Sequence, residues 1–265
     1  MFHFEGGLQL LSRFSERPRS INLDNVLFST DIDNESIIEI VGASSTGKTL
    51  LLCQFIARCI LPARYKDIEI SGCNVHVVLI DTYGHVEMSK IAELMTPVIH
   101  NAYQIAGVEL SDEVVDHVIH KSLENLTVIS CCNNEQFQLT LHMLEDELLS
   151  NEKIALLAID NILAYYWQER RIKGILSMDN YTKDLLKIIR IQTSQFHMIT
   201  IYTKWDGPVS KYQSHSNLLQ GTGINYRLHL YKNPVTHEFV CHVQSTDDIK
   251  RICYTISDSG IKWIQ

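Results

Sequence analysis

The chain carries at positions 42–49 the run Gly42-Ala43-Ser44-Ser45-Thr46-Gly47-Lys48-Thr49, which fits the phosphate-binding pattern G-x-x-x-x-G-K-[ST]. Small residues in such a loop let successive backbone N–H groups turn inward around an anion. The Lys48 ammonium is suited to the β- and γ-phosphate oxygens, and the Thr49 hydroxyl to a bound Mg²⁺. All eight residues are therefore predicted to bind a nucleotide.

The flanks of this loop decide between two interpretations. Residues 37–41 are rich in isoleucine and valine, which is typical of a buried strand, and residues 50–60 are apolar at helical spacing. The loop is thus predicted to join a strand to a helix N-terminus, where the helix dipole favours negative charge. These flanks favour a nucleotide site over the alternative, a Gly/Ser-rich turn with a surface lysine.

Composition limits the possible functions. The 265 residues are 45% hydrophobic, enough for one substantial core, and no apolar run is long enough to span a bilayer. Acidic residues outnumber basic ones by 31 to 23, a net charge of −8, which argues against strong nonspecific nucleic-acid binding by the isolated chain. Seven cysteines without a CxxC spacing suit the reduced thiols of a cytosolic or nuclear protein.

Strand and helix patterns alternate along most of the chain. The strand patterns cover 37–41, 75–80, 126–130, 154–159 and 197–203. The helical patterns cover 50–60, 86–106, 111–121, 135–149 and 178–194. This alternation predicts an α/β fold with a mostly parallel central sheet and helices on both faces.

The two ends of the chain differ from this pattern. Short strand patterns at 226–232, 238–245 and 252–257 predict an antiparallel C-terminal extension. Residues 1–30 are too few for a domain and are predicted to form a tether with one short amphipathic helix over 8–14. Residues 31–265 are predicted to form the single core domain.

A second part of a nucleotide site is predicted at the end of the fourth strand. The apolar run 154–159 ends in Asp160, and an aspartate at such a strand tip reaches the Mg²⁺ shell of a bound nucleotide. Thr49 and Asp160 are therefore the candidate metal ligands. Asp81 ends the strand at 75–80 in the same way, with capping of the following helix as its alternative role.

The order of these features resembles the ATPase core of RecA-type recombinases: the phosphate loop, a strand ending Ile80-Asp81-Thr82, the strand before Asp160, and a strand ending Tyr202-Thr203-Lys204. The runs 57–62, 78–82 and 159–167 are similar to those of short eukaryotic recombinase paralogues. The likeness extends from about residue 8 to residue 204. It implies a RecA-like P-loop ATPase core that uses ATP and Mg²⁺ and has no N-terminal helical domain.

Two positions depart from the recombinase pattern. Tyr83 stands where active recombinases carry the glutamate that polarises the attacking water, and Lys204 stands at the sensor glutamine. A phenol with a pKa near 10 is a poor base at neutral pH, and an ammonium cannot both donate and accept like an amide. His85 or Glu87 are alternative bases, but neither falls on the motif position. The departures predict ATP binding with little or no hydrolysis.

The resemblance also places candidate DNA contacts. Residues 169–174 follow the fourth strand, where recombinases carry their first DNA-binding loop, and residues 205–216, with Lys211, stand in place of the second. Cations beside the aromatic run 165–167 suit phosphate contacts and base stacking, and the alternative is a solvated helix start whose aromatic residues lie in the core. The candidate DNA-contacting residues are Arg170, Arg171, Lys173 and Lys204.

Finally, the resemblance implies a nuclear protein of homologous recombination repair. Its expected partners are other recombinase paralogues, with the D-type paralogue in direct contact, and single-stranded or branched DNA reached through their complex. The helix at 8–14 is a candidate docking helix, unless it packs on its own domain. Two other functions remain open: an active DNA-dependent ATPase with the same core, and a small-molecule P-loop kinase with Arg170 and Arg171 as lid arginines.

Overall fold

A computed structural model of the chain describes residues 18, 20–174, 177–206, 219, 223–246 and 248–264. The predicted helix at 8–14 lies outside these residues. The helices are α1 Lys48–Ile60, α2 Met88–Ala106, α3 Asp112–Leu123, α4 Asn134–Ser150, α5 Tyr166–Lys173 and α6 Met178–Thr193. The strands are β1 Ser20–Ile21, β2 Ile32–Asp33, β3 Ile37–Gly42, β4 Arg64–Tyr65, β5 Ile68–Glu69, β6 His76–Asp81, β7 Leu126–Ser130, β8 Ile154–Asp160, β9 Ile199–Trp205, β10 Tyr226–Lys232, β11 Phe239–Gln244, β12 Ile249–Ser257 and β13 Gly260–Ile264.

The main sheet of the described chain has nine strands in the order β13-β12-β11-β10-β3-β9-β8-β6-β7. The six strands from β10 to β7 in this order pair in parallel, and β11, β12 and β13 add to them in antiparallel fashion. The predicted parallel core with an antiparallel extension is confirmed. The patterns did not predict β13, and β10 runs parallel to β3 rather than belonging wholly to the extension.

Two hydrophobic clusters cover the two faces of the sheet. One lies under α1, α2 and α3, and the other under α4 and α6. Strand β8 serves both clusters, since Leu156 and Ala158 face the first while Leu157 and Ile159 face the second. Burial on both faces explains why this strand is a continuous apolar run rather than an alternating one.

Part of the segment predicted as a tether packs on this core. Strand β1 pairs with β2, and Leu23, Leu27 and Phe28 are buried in the first cluster. The ring of Phe28 contacts those of Phe55 and Tyr226. These side chains thus contribute to the core, and the predicted domain boundary at residue 31 stays a prediction. Within the described residues, no helix combines the length and apolar character needed to cross a membrane.

Candidate nucleotide-binding site

The phosphate loop connects the end of β3 to the start of α1, as predicted. Two of its residues have left-handed backbone conformations, Ser45 with φ 60° and Gly47 with φ 88°. The Thr46 hydroxyl donates a hydrogen bond to the Ala43 carbonyl across the turn, at 2.9 Å. Such left-handed turns bring successive N–H groups to one side of the chain, which is the geometry of an anion-binding nest.

The first glycine of the loop is required by the neighbouring strand. Gly42 ends β3 and pairs with Leu230 of the parallel strand β10. A Cβ atom added to Gly42 would lie 2.2 Å from the Leu230 carbonyl oxygen, a distance that real Cβ contacts do not reach. The absence of a side chain here therefore lets β10 approach the base of the loop.

Lys48 lies at the mouth of the loop. Its ammonium donates a hydrogen bond to the Ala43 carbonyl at 2.7 Å. Burial lowers the pKa of Lys48, and the nearby carboxylates of Asp160 and Asp206 counteract this effect. The cation is thus held beside the loop carbonyls, where phosphate oxygens of a bound nucleotide would be its stronger partners.

Thr49 and Asp160, predicted as metal ligands, are brought together from elements 111 residues apart in sequence. The Thr49 hydroxyl donates to Asp160 Oδ2 at 2.9 Å, and the Thr203 hydroxyl donates to Asp160 Oδ1. Burial raises the pKa of Asp160, and the two hydroxyl donors oppose that shift. The hydroxyl and carboxylate oxygens are the hard ligands that Mg²⁺ takes together with nucleotide phosphates.

Among the described residues, no group of three or more His, Cys, Asp or Glu side chains is arranged to hold a metal ion. Mg²⁺ takes several of its ligands from substrate and water, so the oxygen pair of Thr49 and Asp160 would suit a metal ion bound together with phosphates.

Asp81 has a different task from Asp160. Its two carboxylate oxygens accept hydrogen bonds from the backbone N–H groups of Tyr83, Gly84, His85 and Val86, at 2.8–3.3 Å. These bonds shape the loop between β6 and α2. The buried Asp81 carboxylate thus caps backbone N–H groups. This is close to its alternative predicted role, capping of the following helix, but the capped groups lie in the loop before that helix.

Tyr83, predicted to stand at the position of the recombinase glutamate, lies in the loop after β6. Its hydroxyl donates to the Ala164 carbonyl at 3.1 Å, and its ring stacks on that of His85. Burial raises the pKa of Tyr83, and the Asp160 charge raises it further. Both effects keep the phenol protonated, so the structure gives it no basic character.

Lys204 is held by carboxylates. Its ammonium lies 3.2 Å from Asp179 Oδ1 and 3.9 Å from Glu39 Oε1. Glu39, buried on β3, also accepts a hydrogen bond from the Tyr202 hydroxyl at 2.9 Å and pairs with Arg227. The proposed DNA contact of Lys204 stays a prediction, and the structure shows its ammonium in an ion-pair network.

The residues predicted to form the DNA surface, in α5 and just before it, are partly buried and partly exposed. Tyr165 and Tyr166 lie in the second core cluster, whereas the Trp167 ring is half exposed. The exposed Arg170 guanidinium lies over the Trp167 ring, 5.3 Å from its centre, and Arg171 is exposed beside it. The Lys173 side chain and Lys211 lie outside the part of the chain that the structure describes.

Two residues of the site were missed by the sequence motifs. Thr203 binds the Asp160 carboxylate, and the buried Tyr254 donates from its hydroxyl to the Thr46 carbonyl of the phosphate loop at 2.7 Å. Thr203 could have been found from the sequence, because it is a hydroxyl residue at the end of a strand, next to Lys204. Tyr254 lies 208 residues after Thr46, and no motif connects the two.

Comparison with known proteins supports the resemblance drawn from these motifs. A family model described as Rad51 matches residues 17–206, which contain the phosphate loop, Asp160 and Lys204. The chain belongs to the Rad51 family. The predicted recombinase-type core is thereby confirmed, together with its α/β architecture.

Two curated relatives of this Rad51-family chain are similar to it over most of its length. "DNA repair protein XRCC2" of Mus musculus is 31% identical over 168 residues, which cover 63% of the chain and 54% of the relative. "DNA repair protein XRCC2 homolog" of Arabidopsis thaliana is 21% identical over 209 residues, which cover 71% of the chain and 56% of the relative. The chain thus matches about half the length of each relative.

Proposed function

We propose that this chain is a Rad51 paralogue of homologous recombination repair of DNA double-strand breaks. In this proposal it binds ATP and Mg²⁺ with little or no hydrolysis and works within a hetero-oligomer of recombinase paralogues. That complex assists recombinase filaments on single-stranded DNA in the nucleus. The observation that carries the proposal is a complete phosphate loop, with Thr49 bonded to Asp160, beside Tyr83, whose hydroxyl donates a hydrogen bond to the Ala164 carbonyl.

The binding half of the site supports nucleotide recognition. The loop amides and Lys48 would hold the phosphates, and Thr49 and Asp160 would hold Mg²⁺. A bound Mg²⁺ would neutralise phosphate charge. Removal of water from the buried Asp160 carboxylate strengthens its attraction for such a cation.

The hydrolytic half of the site supports slow turnover. Activation of an attacking water needs a base that takes its proton, and a neutral phenol such as Tyr83, whose hydroxyl donates a hydrogen bond to the Ala164 carbonyl, is a poor base. We expect phosphate release from Mg·ATP by the purified chain to be no faster than by its Lys48→Ala variant, with or without single-stranded DNA. Turnover at an ordinary ATPase rate that Lys48→Ala abolishes would contradict the proposal and favour the active ATPase.

The surface of α5 supports a shared DNA contact. Trp167, Arg170 and Arg171 offer one aromatic face and two cations, too few for tight binding by a chain of net charge −8. The remaining affinity for DNA would come from the partner chains.

The shared DNA surface requires a complex of paralogues. Failure of the chain to associate with the D-type paralogue when the two are mixed would contradict it.

Charge reversal tests that surface. In the reconstituted paralogue complex, the double variant Arg170→Glu, Arg171→Glu is expected to bind single-stranded DNA roughly tenfold more weakly at moderate salt. The affinity should also depend less on salt, because each lost phosphate contact removes about 0.7 from the slope of log K against log[salt]. Fluorescence anisotropy with a labelled oligonucleotide measures both quantities.

The matched control reverses two other exposed cations, Lys121→Glu with Lys153→Glu. Lys121 lies on α3, and Lys153 precedes β8 at the amino end of the strands, opposite the phosphate loop. The control should bind DNA nearly as the wild type does. Equal affinities for the wild type, the α5 variant and the control would remove α5 from the DNA surface.

A further inference from the structure

The hairpin of β12 and β13 lies against the phosphate loop. Tyr254, in the middle of β12, is 1% exposed and donates its hydroxyl proton to the Thr46 carbonyl at 2.7 Å. Its ring packs between those of Phe239 and Trp263, which fixes where the hydroxyl points. The hydrogen bond therefore joins a rigid aromatic cluster to the backbone of the loop.

Apolar contacts from the same hairpin reach the next residue of the loop. A Cβ atom added to Gly47 would lie 3.2 Å from Ile261 Cδ1 and 3.3 Å from Ile256 Cδ1. The two isoleucine side chains thus cover the left-handed turn at Gly47 from the hairpin side. This packing and the Tyr254 hydrogen bond both hold the turn against the hairpin.

Two side chains fasten the hairpin to the helices around the loop. Gln54 on α1 accepts from the Ile261 N–H at 2.9 Å and donates to the Ile261 carbonyl at 3.3 Å. Lys90 on α2 donates to the Asp258 carbonyl at 2.9 Å. The hairpin and the helix that begins at Lys48 are therefore held as one unit.

We propose that Tyr254 is a positioning residue of the nucleotide site, which orients the peptide group between Thr46 and Gly47. In a trans peptide plane the carbonyl and the N–H point in opposite directions. By holding the Thr46 carbonyl toward the hairpin, Tyr254 directs the Gly47 N–H away from it, into the loop where an anion binds. This inference rests on the nucleotide binding proposed above.

The expected size of the effect follows from the chemistry of one buried hydrogen bond. Tyr254→Phe keeps the ring and its packing and removes only the hydroxyl, so the Thr46 carbonyl loses its partner in a buried place. A buried acceptor without a partner favours rearrangement of its peptide group. We expect roughly tenfold weaker binding of nucleotide, with a loss of stability similar to that of another buried tyrosine that loses its hydroxyl.

The experiment compares wild type, Tyr254→Phe and Tyr181→Phe in the full chain with its paralogue partner. Tyr181 is the matched control, a buried tyrosine on α6 whose hydroxyl bonds to Asn134 Oδ1. Titration with a fluorescent Mg·ATP analogue gives the dissociation constant. Amide hydrogen exchange over residues 42–49, recorded without nucleotide, reports the loop itself. Thermal midpoints show whether both variants remain folded to the same extent.

We expect Tyr254→Phe to bind the analogue about tenfold more weakly than Tyr181→Phe and to exchange faster in the loop at a similar thermal midpoint. Unchanged affinity or unchanged loop exchange in Tyr254→Phe would overturn the inference. If the wild type binds no analogue, the proposed nucleotide function fails, and the loop exchange then decides separately whether Tyr254 positions the loop.

Discussion

Lys48→Ala is expected to lower the affinity of the chain for Mg·ATP about 10- to 100-fold. The variant removes the one loop cation, and a hydrogen bond from a charged donor contributes about 1.5–3 kcal/mol. The side chain donates to a carbonyl of its own loop and is partly exposed, so its loss should barely change folding. Isothermal titration with Mg·ATP, beside a thermal melt, measures both effects.

The control for this variant is Lys121→Ala, on the exposed side of α3 with Glu124 as its ion-pair partner. It removes the same side chain far from the phosphate loop and should leave nucleotide affinity at the wild-type value. Lys48→Ala with wild-type affinity would show that the loop does not bind phosphate, whatever its sequence. A large fall in the melting temperature would instead assign Lys48 a structural role.

Gly42→Ala is expected to have the largest effect on stability. Its new methyl group would occupy the position 2.2 Å from the Leu230 carbonyl oxygen, so β3 or β10 must move. The closest clash is with a backbone oxygen, which no side-chain rotation can relieve, and the Thr46 hydroxyl lies 2.9 Å from the same methyl position. We expect a loss of about 3 kcal/mol or more in the free energy of unfolding, or roughly 10 °C in the thermal midpoint.

Gly107→Ala is the matched control. Gly107 ends α2 with φ 66°, and a Cβ atom there would meet nothing within 4 Å. This variant carries the cost of a left-handed alanine, about 1–2 kcal/mol, without a clash. Gly42 is not among the glycines with positive φ, so its variant carries the clash without the left-handed cost, and denaturant unfolding of both variants compares the two costs. A Gly42→Ala protein as stable as Gly107→Ala would mean that the strands accommodate the methyl group.

The sequence predicted the parts of the site that depend on neighbouring residues. The phosphate loop, the strand before it and the helix after it are one continuous segment, and Asp160 follows an unmistakably apolar strand. Its partnership with Thr49 could be inferred because parallel strands present their carboxyl ends at one edge of the sheet. Local chemistry therefore sufficed to place the loop between β3 and α1 and Asp160 beside it, while their nucleotide binding stays a prediction.

The remaining parts depend on contacts between distant residues. Glu39 looked like an ordinary strand residue, yet it forms the buried centre that holds Tyr202, Lys204 and Arg227. Asp81 and Asp160 end their strands alike, and only their partners differ: backbone N–H groups bond to Asp81, whereas the Thr49 and Thr203 hydroxyls bond to Asp160. The strand pairing that brings the C-terminal hairpin onto the loop could not be inferred from local patterns.

The proposed function requires that the site bind ATP and keep it intact. The most direct test identifies the nucleotide that stays bound to the purified paralogue complex after incubation with Mg·ATP. The phosphate loops of the partner chains carry inactivating substitutions, so that only the site of this chain can bind. Chromatography of the released nucleotide should show about one ATP for each chain, mostly unhydrolysed, and none after Lys48→Ala. Recovery of ADP with steady phosphate release, or of no nucleotide from the wild type, would contradict the account.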